Sequence, residues 1–151
     1  MTLELSSDLL EQIQAHGESH YPDEGAGLML GEVDGDRRTV TRLLPLDNDF
    51  DEGERYHRYL ISPRAMLDAQ ELADSLDIDI VGVYHSHPDH PAQPSEFDRR
   101  WALPWFSYLI TRIQEGKARE SRTWRLKDDR GEFEEQSLAI KSKSQTAQEV
   151  E

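Results

Sequence analysis

Two histidines, a serine and an aspartate sit within fourteen positions of one another, in the order His85-x-His87, seven residues, Ser95, two residues, Asp98. The run before them, Asp77 to Tyr84, is short, apolar and β-branched, and reads as a buried strand ending at the histidines. Alternate side chains of a strand leave on the same face, which sets His85 and His87 side by side. Two imidazoles, with a carboxylate returning across a short loop, can close three corners of a tetrahedron around a metal. A nitrogen and oxygen set with one corner open suits zinc, one ion per chain.

Each of these residues has a duller reading. An H-x-H pair alone more often marks packed or solvated histidines, and it is the addition of Ser95 and Asp98 that points to a metal. Ser95-x-x-Asp98 also satisfies the capping-box pattern, in which both side chains serve backbone amides at a helix start. The two roles are compatible, because Asp98 lies one turn into that helix, on a face that can meet the histidines. His90, in the flexible-looking turn Asp89-His90-Pro91, is a rival ligand. The open corner would hold water, whose pKa zinc lowers to about 7. Amide hydrolysis then needs a carboxylate to take the water's proton and pass it to the leaving amine. Glu24, which opens a strand after a glycine-containing turn so that its carboxylate could face the metal, is the candidate. On residues alone it remains one acid among 31.

The elements that must position these groups can be read from caps and periodicity. Ser6-Ser7-Asp8 offers N-caps, and Leu9, Leu10 and Ile13 fall on one stripe, predicting a helix over 7–19 that stops before Tyr21-Pro22. Leu28 to Val33 and Thr39 to Leu46 read as strands joined at Asp34-Gly35. The acidic segment Asp47 to Glu54 reads as a mobile loop, and His57 to Ile61 as a short strand. Ser62-Pro63 starts a second helix to about Ser75. After the histidines, Ser95 begins a short helix that Pro104 ends. Trp105 to Ile113 is a further strand, and Arg119 to Leu126 with Glu132 to Ile140 form a hairpin around Asp128-Asp129-Arg130-Gly131. The expected class is α+β, a mainly antiparallel curved sheet flanked by helices, in one domain over 1–140, with 141–151 a disordered tail.

The chain has no cysteine, which removes disulfides, thiolate metal sites and cysteine nucleophiles together and fits a reducing compartment. No signal peptide or membrane-length apolar run is visible, so a cytoplasmic protein without a membrane partner is expected. With 31 acidic against 17 basic residues, a formal charge of −14, nucleic acid is a poor partner. Only 4 of the basic residues are lysine, a balance that a high-salt cytoplasm would favour as much as ordinary solubility would.

Glu24, then His85-Ser86-His87-Pro88, then Pro94-Ser95-x-x-Asp98 resembles the pattern of the JAMM (MPN-plus, Mov34-type) metallopeptidases. The likeness extends through most of 1–138, including Pro22-x-Glu24-x-Ala26-Gly27-Leu28-Met29-Leu30-Gly31 and Arg58-Tyr59-Leu60-Ile61-Ser62-Pro63. RadC-type relatives share a similar metal signature but usually place asparagine between the histidines, where this chain has Ser86. The resemblance implies that His85, His87 and Asp98 hold zinc, that Glu24 is the general base, and that Ser95 hydrogen-bonds the water or the developing oxyanion. It also implies a substrate: the C-terminal Gly-Gly tail of a ubiquitin-like or sulfur-carrier protein. The other class it allows is a non-catalytic MPN-type scaffold. Many bacterial relatives carry cysteine where this chain has Ala26, a difference that bears on substrate preference rather than on the ligands.

Overall fold

A computed structural model describes residues 1–48, 50, 52–56 and 58–142. Seven strands and three α-helices follow in the order β1 (Thr2–Ser6), α1 (Ser7–His20), β2 (Ala26–Asp34), β3 (Arg37–Leu46), α2 (Pro63–Ser75), β4 (Asp79–Pro88), α3 (Glu96–Trp101), β5 (Ser107–Gln114), β6 (Lys117–Leu126) and β7 (Phe133–Lys141). The ends of α1 and α2 follow from local chemistry. The Ser6 hydroxyl accepts from the Leu9 amide at 3.1 Å, and the Ser62 hydroxyl from Ala65 at 3.1 Å, with Pro63 at the first helical position.

The sheet is a closed barrel in the order β1-β3-β2-β4-β5-β6-β7, which corrects the expectation of an open, mainly antiparallel sheet. The difference comes from β1, five residues too short to stand out by periodicity. It pairs in parallel with β3 on one side and with β7 on the other, joining what would be the two free edges. A third parallel pair, β4 with β5, brings the sheet close to an even mixture. The expected hairpins are present: β2 pairs antiparallel with β3 across Gly35, and β6 with β7. Residues 58–61 form no strand, and His57 lies outside the described residues.

Alternate residues of the central strands feed two apolar clusters, as a period of two requires. Leu28, Leu30, Ile80 and Val83 pack with Ala69 and Ala73 of α2, while Met29, Val81 and Tyr84 pack with Leu3, Leu5 and Ile13 of β1 and α1. Both faces of β2 and β4 are therefore covered, and the strand carrying the histidines is buried from Ile80 to His87. Close strand approach is secured by glycine at Gly82, where a Cβ would fall 2.0 Å from the Ser107 carbonyl oxygen. Among the described residues no helix is long and apolar enough to cross a membrane.

Candidate active site

β4 ends by presenting His85 and His87 from one face, with their Nε2 atoms 3.1 Å apart. Asp98, in the first turn of α3, completes the group: Oδ2 lies 3.1 Å from His87 Nε2 and Oδ1 3.4 Å from His85 Nε2. A tetrahedral zinc site with bonds of about 2.0–2.1 Å has ligand–ligand edges of roughly 3.3 Å. The three contacts lie near that figure, two of them to different oxygens of Asp98, and one ligand atom from each residue lies within 4.8 Å of the others, so the donors can hold such an ion with one vertex left over. All three residues are buried, and the His85 Nδ1 has no partner among the described residues.

The surroundings fix these donors. His87 Nδ1 lies 2.8 Å from the Pro91 carbonyl oxygen, so Nδ1–H donates there and Nε2 is the ring atom that faces Asp98 and His85. The Tyr59 ring stacks on His85 at 4.5 Å and 29°. Both readings of Asp98 hold at once. Its Oδ2 accepts from the Ser95 amide at 2.8 Å, and the Ser95 hydroxyl accepts from the Asp98 amide at 3.0 Å, a complete capping box on a carboxylate that also faces the histidines. Burial pushes this carboxyl upward, yet the charge and hydrogen bonds of His85 and His87 together prevail and hold it well below the usual carboxylate range.

Glu24 sits just before β2, 1% exposed, with Oε1 unpartnered among the described residues. Burial, and then the Asp98 charge, push its carboxyl well above the usual range. Its backbone is clamped from two sides. Ser86, whose side chain leaves β4 opposite the histidines, accepts from the Gly25 amide at 2.8 Å through its hydroxyl and donates its own amide to the Gly25 carbonyl at 2.9 Å. Asn48 donates to the Glu24 and Arg58 carbonyls at 3.0 and 2.9 Å, and accepts from the Phe50 and Leu60 amides. The segment expected to be mobile is thus tied down at Asn48; Asp49 and Asp51 in it lie outside the described residues.

His90 also comes close. Its ring stacks on His87 at 4.1 Å and 22°, and Glu24, His87 and His90 each offer a ligand atom within 4.8 Å of the others. The turn that carries it is anchored. Asp89 accepts from the Glu115 amide at 2.7 Å and from the Tyr21 hydroxyl, and its own amide donates to the Ile113 carbonyl at 2.7 Å. Sequence reasoning missed Asn48, and missed what Ser86 does; a buried asparagine in an acidic stretch leaves no periodic trace. Tyr59 and Trp101 line an apolar cavity of about 230 Å³ beside Asp98, together with Met66, Phe97 and Tyr108. Trp105 instead lies under the Arg38 guanidinium, and Tyr56 is exposed.

Known proteins resemble this chain over most of its length. Residues 6–127 match the domain family described as prokaryotic homologs of the JAB domain. The chain is 35% identical over 108 residues to the "Probable TtuB-protein conjugate cleaving protease" of Thermus thermophilus, covering 70% of this chain and 68% of that protein. It is 34% identical over 113 residues to the "Desampylase" of Haloferax volcanii, covering 72% and 78%. Among solved structures, protein DSY2949 from Desulfitobacterium hafniense superposes with a TM-score of 0.81 at 31% identity, over 93% of this chain and 94% of that one. A structure described as "JAMM: A Metalloprotease-like Zinc Site in the Proteasome and Signalosome" shares the fold, with a TM-score of 0.55 at 18% identity over 93% and 98%.

Proposed function

The chain belongs to the prokaryotic JAB-domain family, a compact JAMM/MPN-type member, and from that premise we propose that it is a zinc-dependent isopeptidase. Its substrate is the amide bond at the C-terminal Gly-Gly tail of a ubiquitin-like or sulfur-carrier protein. The observation that carries the reading is the meeting of His85, His87 and Asp98 at tetrahedral spacing beside a buried, unpartnered Glu24. The names of the two relatives, a conjugate-cleaving protease and a desampylase, support the substrate class.

His85, His87 and Asp98 would hold the ion. When bound, zinc supplies Lewis acidity to a carbonyl and makes water acidic enough to react near neutral pH. Glu24 accepts the proton of the attacking water and returns it to the leaving amine, its unpartnered Oε1 being free to do so. The Ser95 hydroxyl oxygen accepts from the Asp98 amide, which leaves its O–H free to donate to the developing oxyanion. A glycine tail is thin enough to reach a buried carboxylate, and the apolar cavity beside Asp98 receives a bulkier side chain upstream of it. Leu60, Trp101 and Leu103 are exposed along that cavity, the kind of surface a protein substrate covers. A cytoplasmic site of action, consistent with the absence of cysteine, is part of the same reading.

The test is to incubate zinc-loaded protein with carrier proteins joined through Gly-Gly tails to an amine, followed by intact mass. Cleavage after the second glycine, abolished by chelator and restored by zinc, is the expected result. Stoichiometric zinc with no cleavage of any such conjugate would favour a scaffold instead.

A further inference from the structure

We infer that Glu24 and His90 form a second divalent-cation position beside the first, and that a cation held there silences Glu24. The inference rests on the reading that His85, His87 and Asp98 hold the first ion. Glu24, His87 and His90 bring one donor atom each within 4.8 Å of the others. Glu24 Oε1 is buried with no partner among the described residues, a carboxylate oxygen whose desolvation nothing offsets. His90 Nδ1 lies 2.8 Å from the Pro88 carbonyl oxygen, so its N–H donates there and Nε2 carries the free lone pair. The His90 ring is held flat against His87, and Asp89, with φ of 57° and its three anchoring hydrogen bonds, fixes the turn that presents it.

These donors are nitrogen and oxygen, the mixture that zinc accepts. The two positions cannot share His87 freely. Its Nδ1 is committed to Pro91, so its single remaining lone pair serves whichever ion binds first. With the trio filled, a second cation is left with Glu24, His90 and solvent. Two protein ligands make it the weaker position, filled only when metal exceeds one equivalent. A cation on Glu24 occupies the lone pair that would take the water's proton. Excess zinc therefore inhibits, while the first equivalent activates. His90 is half-buried and touches neither His85 nor Asp98 among the described contacts, so the second position can be removed by itself.

The experiment is equilibrium dialysis of the full chain against rising zinc, with bound metal read by mass spectrometry, for the wild type, His90→Ala and His90→Phe. His90→Phe retains a ring against His87 and guards against a variant that merely unfolds. The wild type is expected to bind a tight first and a weaker second equivalent, and both variants only the first. In a parallel cleavage assay, the zinc concentration that halves wild-type activity should rise at least tenfold in His90→Phe. A second equivalent that survives in both variants would lie elsewhere on the acidic surface and would overturn the inference. A wild type that stops at one equivalent overturns it too, leaving the isopeptidase reading intact. A wild type that binds none removes the trio, and this inference with it.

Discussion

Glu24 must be ionised to accept a proton, yet it sits where water barely reaches it. In metal-free protein its folded-state proton affinity exceeds that of the unfolded chain, so ionising it opposes folding. The sign follows directly. Below the ordinary carboxylate range, near 4.5, the penalty is absent, and it grows as pH rises until the folded carboxyl has lost its proton. Glu24→Gln behaves as a permanently neutral group. The metal-free variant should therefore be more stable than metal-free wild type at pH 7, with the gap closing on acidification. Each tenfold change in proton affinity is worth about 1.4 kcal/mol. Denaturant melts across pH, with chelator present, check this; a bound cation should shrink the gap. With zinc, the same variant should keep its metal and lose about 10²-fold or more in turnover. Asp98 separates differently, because one carboxylate caps α3 and faces two imidazoles. Asp98→Asn retains an acceptor for the Ser95 amide but gives up the charge, so zinc affinity should fall by more than about 100-fold while the fold survives. Asp98→Ala removes both and should also lower stability by about 1 kcal/mol.

At the scale of elements, the site depends on bonds that run between β4 and the segments flanking Glu24. Ser86→Ala would strand the buried Gly25 amide, a loss of about 1–3 kcal/mol. Because Ser86 points away from the histidines, zinc stoichiometry should persist while turnover drops, readable by metal analysis beside steady-state rates. Gly82→Ala should be worse for the whole strand. Its Cβ would sit 2.0 Å from a backbone oxygen that cannot rotate aside, so β4 and β5 must part, costing about 1–3 kcal/mol or more and loosening both histidines. Thermal melts and zinc titration test that together. These supports also mark where the sequence could be read and where it could not. His85, His87, Ser95 and Asp98 lie within one short stretch whose spacing reflects local strand and helix geometry. Asn48 and the partners of Ser86 act across long separations through backbone atoms, which carry no residue code. The His57 to Ile61 reading failed for a related reason: Tyr59 is aromatic because it stacks on His85, and Ile61 is apolar because it packs against the α2 cluster, neither because of strand pairing.

For the whole molecule, charge and closure set the behaviour. A formal charge of −14 with few lysines implies self-repulsion that salt screens. The melting temperature should rise between dilute buffer and molar potassium chloride, and a flat response would remove the high-salt reading. Closure rests on β1, whose Leu3 and Leu5 are buried to 0% and 1% exposure. Leu3→Ala or Leu5→Ala should each cost about 2–5 kcal/mol. The sequence predicted the strands on either side of that seam but not the piece between them, so the sheet could only be imagined open. Having β1 as the shared neighbour of β3 and β7 has a temporal consequence. On the ribosome, Thr2 emerges nearly the full length of the described chain ahead of Ser137, its partner across β7. Until then the nascent protein carries a half-wedded strand, and contacts so distant along the polypeptide make for slow maturation. A hydrolase built this way comes of age only once β7 has been made.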